Sequence, residues 1–302
     1  MTTAVTRRRA SKRTRREALI GAAYIAPSFV LMFIFTVIPI FLCIYYSFTK
    51  YDMTAAPEWI GFDNYVKLAA NKYLGLTLTN TLQYVLITVP LQTILALLIA
   101  AFIAGSLRNR FGSFLRSVIF IPVIASLIAS AAVWNVMYEP KGGLINQFLG
   151  LFGADPINFL GKKTTAMPSV AAVAIWKNTG YYMVMYYAGI MNVPADIQEA
   201  AIVDGASPWQ RFRYITLPIL KPITYMVVTM GIIGSFQVFD LVYKMTGGGP
   251  ARATLTVAFM IYNYAIKDKR MGYACALAVG LLIVILLIHG IQNLFFREKE
   301  DA

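Results

Sequence analysis

Two apolar stretches of the sequence, near 168–192 and 219–240, carry side chains that hydrocarbon tolerates only for a reason. The first holds Trp176, Lys177, Asn178, Thr179, Tyr181, Tyr182, Tyr186 and Tyr187; the second ends in Ser235, Phe236, Gln237 and Asp240. A polar group inside a membrane is costly unless it faces another helix or water, so such groups are the first candidates for a solute pathway. Aromatic faces lie well against the C–H surfaces of a sugar ring, while amides and hydroxyls meet its hydroxyl groups. A polar solute of that kind suits a lining of Trp176, Asn178, Tyr181, Ser235, Phe236, Gln237 and Asp240. The same groups would equally serve interhelical hydrogen bonds and an aromatic belt at the outer interface. Lys177, about nine residues into its stretch and so roughly 13 Å along a helix, would have to snorkel outward or reach a wet cavity.

Covalent chemistry finds little to work with. The chain has one histidine, His289, near the end of a long apolar run, so no Ser-His-Asp set forms around it and it reads as a packing or interfacial residue. Cys43 and Cys275 both fall in apolar stretches and suggest packing, not a disulfide or a metal. No Cys/His cluster has metal-ligand spacing. GGGPARAT at 247–254 lacks the lysine of a phosphate loop and follows no strand. The chain is therefore expected to be no enzyme and to bind no cofactor itself. TGGGP at 246–250 reads as a tight turn on the outside.

The elements that position these residues are membrane helices. Hydrophobic residues make up 58% of the chain and charged ones 14%, against about 25% charged in an ordinary soluble domain. Spans of ~20 residues cross about 30 Å of hydrocarbon, and six stretches qualify, near 19–47, 78–105, 115–138, 168–192, 219–240 and 272–295. The fold class is an all-α polytopic membrane protein of about six transmembrane helices. The first stretch is too long for a signal-peptide core and reads as an uncleaved span. Arg7, Arg8, Arg9, Lys12, Arg13, Arg15 and Arg16 hold the amino-terminal tail in the cytoplasm, and an even number of spans returns the other terminus to the same side. The inner loops then carry Arg108, Arg110 and Arg116, and Arg211, Arg213 and Lys221. A net charge of +13 placed on tails and short loops points to anionic lipid headgroups and not to nucleic acid.

One polar connector is strongly marked. Pro194 closes the fourth stretch, and Asp196 followed by Glu199 predicts a capping box for a short helix. Gly205 predicts its left-handed end, and Ser207-Pro208 with Gln210 a second box opening a second helix. Ile197, Ala200, Ala201 and Asp204 share one small, apolar face that another protein's surface can approach closely.

Glu-Ala-Ala, three residues, Gly, nine residues and Ile-x-Leu-Pro stand here as Glu199, Ala200, Ala201, Gly205, Ile215, Leu217 and Pro218, with Asp204, Ala206 and Phe212 also in place. The pattern resembles the EAA loop of permease subunits in binding-protein-dependent ABC importers. IGFDNY at 60–65, RSVIFIP at 116–122 and TGGGP at 246–250 resemble the sugar-importer branch, similar to the maltose and glycerol-3-phosphate permeases. The resemblance runs from about residue 20 to the end. It implies a basic cytoplasmic tail at 1–17, a permease domain at 18–296 with the EAA loop at 194–218, and a cytoplasmic tail at 297–302, in a prokaryotic plasma (inner) membrane.

The resemblance also implies partners. These are two ATPase subunits that hold ATP and Mg and carry out hydrolysis, a second permease subunit making a heterodimer, and an extracytoplasmic binding protein delivering a sugar or oligosaccharide. Glu199 is implied to pair with the ATPase surface. Tyr181, Ser235 and Phe236 are the nearest positional matches to the sugar site of the maltose permease, although an asparagine-rich run there is reduced here to Ser235 and Gln237. Glycerol-3-phosphate or another polar solute is the rival cargo. An ion-coupled secondary transporter is the rival class, against which the spans offer no paired acidic residues, Asp240 standing alone.

Overall fold

The structure, a computed structural model, describes residues 12–107 and 109–296. Residues 1–11 of the basic tail, Arg108 and the tail at 297–302 lie outside these, and residues 12–17 continue the first helix. Hydrocarbon offers the backbone no hydrogen-bond partner but itself, so the long runs of Leu, Ile, Val and Ala fold as helices. The first consists of α1 (Lys12–Met32), a π-helical turn (Phe33–Val37) and α2 (Ile38–Ser47). Pro39 lacks the N–H that an α-helix would bond four residues back, and the wider turn sits just ahead of it. A two-residue bridge then joins β1 (Thr49–Lys50) to β2 (Glu58–Trp59), antiparallel, with Thr49 opposite Trp59.

After α3 (Asp63–Ala69) comes the central helix α4 (Leu74–Ser106), followed by α5 (Arg110–Ile124), α6 (Leu127–Met137) and the short α7 (Leu144–Gly150). The long α8 (Lys163–Met191) leads into α9 (Ala195–Val203) and α10 (Pro208–Arg211), then a π-helical turn (Phe212–Thr216) and α11 (Leu217–Ile219). The chain returns through α12 (Lys221–Phe236), α13 (Asp240–Met245), α14 (Val257–Tyr262), a third π-helical turn (Asn263–Lys267) and α15 (Met271–Phe296).

Among the described residues, three helices are long and apolar enough to cross a membrane, Ile20–Ser47, Leu74–Ser106 and Met271–Leu294. Two more spans are bent. Arg110–Ile124 meets Leu127–Met137 at 99°, and Pro208–Ile219 meets Lys221–Phe236 at 66°. The expected third span therefore breaks at Ala125 and Ser126, whose side chain caps α6 by accepting from the Ala129 N–H at 3.3 Å. The expected fifth is interrupted at Leu220 and closes at Phe236, leaving Asp240 in the next helix. The expected fourth is α8, whose 29 residues make roughly 43 Å of helix but whose polar side chains dilute its apolar character.

The core runs along α4. Tyr84 packs with Met167, Val170 and Val173 of α8, Val85 and Val89 with Phe236 and with Leu277 and Leu281 of α15, and Ala96, Ala100 and Ile103 with Met183 and Tyr186. Outside, buried asparagines tie the loops down. Asn64 Nδ2 donates to the carbonyls of Ser47 at 3.0 Å and Thr49 at 2.9 Å, and Asn80 Nδ2 to those of Arg252 at 2.9 Å and Leu255 at 3.0 Å. TGGGP is a turn as expected, closed by the Thr246 and Thr254 hydroxyls 2.7 Å apart. In the same outer region the backbone N–H groups of Thr54, then of Ala55, lower the Asp52 carboxyl to about 2.

Candidate functional site

The connector at 194–218 forms the two short helices expected of it, with one correction. Asp196 and Glu199 make no capping box: Pro194 occupies the N-cap, having no side-chain oxygen to offer, and Asp196 stands inside the first turn. There its charge still meets the positive end of the helix. At the other end the sequence reading holds. Gly205 takes φ +77°; its N–H donates to Ile202 O at 3.0 Å and the Ala206 N–H to Ala201 O at 2.9 Å, the paired bonds of a Schellman end. Ser207 then caps α10 through the reciprocal box with Gln210. The Gln198 amide donates to Thr216 Oγ1 at 3.2 Å and so holds α9 to the π-helical turn beyond it.

This double helix leaves apolar side chains uncovered by the rest of the chain. Val203 is 88% exposed, Tyr214 73%, Trp209 67% and Ile202 54%. Glu199, Ala200, Asp204 and Pro218 are also exposed, while Ala201, Ala206, Phe212, Ile215 and Leu217 are half-buried. Asp204, Gly205, Ala206, Gln210, Arg211, Tyr214 and Ile215 line a shallow cavity of about 290 Å³. The Nε of Arg211 is buried there without a hydrogen-bond partner. An apolar patch rimmed by charge and set beside a preformed hollow is the signature of a protein interaction site. Val203, Trp209 and Tyr214 were not singled out in the sequence, because exposure of an apolar side chain is visible only once the turn at Gly205 is built.

Within the membrane, the candidate lining is drawn onto α4 at two points. Ser235 and Thr88 hydroxyls lie 2.9 Å apart, both buried, and Asn178 Nδ2 donates to Gln92 Oε1 at 3.4 Å. Thr88 and Gln92 were not singled out in the sequence, although Thr77, Thr81, Thr88 and Gln92 fall at three- and four-residue multiples down one side of an otherwise apolar helix. That spacing was the available signal. Phe236 is buried in the core cluster with Val85 and Val89. Tyr181 is 40% exposed, Gln237 is exposed at the end of α12, and Asp240 is half-buried at the start of α13. Trp176, two residues from Asn178 and so on the opposite side of α8, meets Trp134 edge-on at 5.4 Å. Tyr186 is fully buried and hydrogen-bonded to Thr224 at 3.2 Å.

Lys177 departs from both expectations. It neither snorkels nor reaches a wet cavity: it is 7% exposed, and its ammonium donates to the carbonyls of Pro122 at 2.9 Å, Val123 at 3.2 Å and Ala125. His289 packs against Tyr225 with ring centroids 6.2 Å apart. Among the described residues no group of three His, Cys, Asp or Glu could hold a metal.

Apolar helices carrying internal polar groups, joined by an exposed double helix beside a hollow, define a polytopic membrane protein. Residues 68–300 match the family of binding-protein-dependent transport system inner membrane components, and the chain belongs to that family. It is 34% identical to the probable ABC transporter permease protein YurN of Bacillus subtilis (strain 168) over 290 residues, 95% of this chain and 99% of the relative. To the trehalose/maltose transport system permease protein MalF of Thermococcus litoralis it is 32% identical over 277 residues, 91% of this chain and 93% of that one. The fold is that of a chain in a bacterial ABC transporter involved in the import of the acidic polysaccharide alginate, with a TM-score of 0.83 at 23% identity, covering 96% of this chain and 99% of the other.

Proposed function

We propose that this chain is one of two permease subunits in an ATP-driven importer of the inner membrane, and that its cargo is a sugar or oligosaccharide. The observation that carries the reading is the exposed apolar double helix at 195–211 beside its cavity, a surface whose chemistry suits contact with a partner protein such as an ATPase. Relatives named for trehalose and maltose, lactose and arabinooligosaccharides support the cargo. A neighbour of the same fold, at TM-score 0.81, was solved in complex with an alginate pentasaccharide-bound periplasmic protein, which supports delivery by a binding protein.

In this reading the ATPases hold ATP and Mg and the chain itself binds neither. Glu199, Ala200, Ala201, Asp204, Gly205, Ala206, Phe212, Ile215, Leu217 and Pro218 form the coupling loop. ATP binding draws the two ATPases together, each pulls one such loop, and the cavity turns from inward-facing to outward-facing; hydrolysis resets it. One chain supplies one loop, so a second, related permease completes the pair. Both termini lie in the cytoplasm, with the tails at 1–17 and 297–302 flanking the permease domain at 18–296. Asn178, Tyr181, Ser235, Gln237 and Asp240 line the route together with Thr88 and Gln92 of α4, with Phe236 packed behind them, while Trp176 faces away toward Trp134. The test is reconstitution: vesicles holding both permeases and the ATPases take up the sugar when the loaded binding protein is outside. Uptake that persists in vesicles lacking the ATPases sinks the reading.

A further inference from the structure

The break between α5 and α6 falls where a chain in hydrocarbon should not break. Ala125 and Ser126 are extended, so the last carbonyls of α5 have no helical partner, and hydrocarbon has no water to supply one. Lys177 of α8 fills that gap. An ammonium has three N–H donors and no acceptor, and three carbonyls receive them, those of Pro122, Val123 and Ala125. Its positive charge sits at the negative end of the α5 dipole. At 7% exposure it has little water to fall back on.

The same two helices are fastened twice more toward the inner side. Gly180 lies so close to α5 that a Cβ there would stand 2.2 Å from the Ile119 carbonyl oxygen. Farther in, the Arg116 guanidinium lies 4.0 Å over the Tyr187 ring. Beyond the break, α6 reaches the outer half of the molecule, with Trp134 against Trp176 and Asn135 Nδ2 donating to Lys244 O of α13 at 3.2 Å. At its other end α8 passes through Asn192–Pro194 into the coupling helix α9.

We infer that Lys177 is a positioning residue for transport, fastening the bent span α5–α6 to α8 so that movement of the coupling loop reaches the outer half as one body. The inference rests on the coupling-loop reading above. Without the ammonium, the carbonyls at the break lose their donors, and beyond it α6 is tied to α8 only through the Trp134–Trp176 contact and the Tyr138 hydroxyl, which donates to Ser169 O at 3.2 Å, so the bend itself is no longer fixed.

The test uses the complete importer in lipid nanodiscs, with the chain carrying Cys43→Ser and Cys275→Ala and spin labels at Phe114→Cys with Val133→Cys, or at Trp59→Cys with Val136→Cys, all exposed positions. With Lys177, the Phe114–Val133 distance is narrow and unchanged between the nucleotide-free and the ATP–vanadate-trapped complex, while trapping shifts the Trp59–Val136 distance. In Lys177→Met the first distribution broadens at least twofold and the shift of the second is lost, with the ATPase still bound and hydrolysing at its basal rate. Lys177→Arg, which keeps the charge and the donors, restores both. A purely structural lysine would lower the melting temperature of Lys177→Met and leave both distances native in the assembled fraction, and that result overturns the inference. If Lys177→Met does not assemble, Lys177→Arg decides alone: native distances support the fastener and broad ones overturn it. A native chain that brings down no ATPase overturns the coupling-loop reading and this inference together.

Discussion

Gly205 turns the chain from one coupling helix into the next, and it does so with a backbone geometry that side chains resist. A Cβ at this position would meet no atom of the chain within 4 Å, so φ +77° is the whole objection to a side chain there. Gly205→Val should therefore cost on the order of 1 kcal/mol locally, leave the spans inserted and place its bulk beside the docking cavity. The expected result is a complex that forms in native yield but whose uptake and stimulated ATP hydrolysis fall together; normal transport would mean the loop does not dock. The intramembrane residues separate differently. Tyr181 and Gln237, unlike the buried Ser235 and Phe236, are exposed members of the candidate lining, so Tyr181→Ala and Gln237→Ala should cut uptake while melting temperature and basal hydrolysis stay near native. Ser235→Ala instead removes the bond to Thr88, and such bonds in membranes are worth about 0.6 kcal/mol on average. Its effect should read first in thermal stability. Unchanged uptake with a lowered melting point in the Tyr181 and Gln237 variants would assign those residues to packing.

At the scale of the helices, what was legible depended on whether the governing interaction was local. Ser207, Pro208 and Gln210 announce a helix start, and Gly205 a helix end, because caps are contacts among neighbours in sequence; all four behave as expected. Asp196 fails for an equally local reason, since the chain enters the helix two residues sooner, with Pro194 at the N-cap. The bends were not legible. Pro122 hints at one, but the carbonyls freed at the 99° turn find their donor in Lys177, more than fifty residues away. Likewise the composition of α8 marks it as the odd span, yet nothing in it says that Asn178 meets Gln92 while Trp176 faces elsewhere. The tight α5–α8 crossing carries its own prediction. Gly180→Ala must push the Ile119 carbonyl away, and overpacking of this kind typically costs ~1–3 kcal/mol. Heating the purified complex in detergent should show a melting point several degrees below native, and a native one would mean that α5 and α8 do not pack as closely as described.

For the whole molecule, the exposed loop and the unpaired faces describe a part, not a finished machine. The chain should purify as one member of a complex with an ATPase dimer and a second permease, and alone it should bind no ATP. Equilibrium dialysis of the isolated chain against labelled nucleotide checks the second point, and saturable ATP binding would contradict it.

The first helix shows how incomplete the single chain is. From Ile20 to Leu42 only Val37 is even half-buried, and purchase on the rest of the chain begins near Cys43, whose thiol points at the Cys275 carbonyl, and at Ser47, whose hydroxyl meets Tyr65 at 2.7 Å. A rod clamped at one end obeys lever arithmetic. Ile20 stands roughly 35 Å from that clamp at 1.5 Å per residue, so a tilt of about 10° carries its inner end sideways by ~6 Å. Pro27 and the π-helical turn at Phe33–Val37 are where such a rod yields first. In the proposed orientation the free end of this oar lies in the inner leaflet and its pivot near the outer surface, so a neighbouring helix or the lipid around it must hold it still.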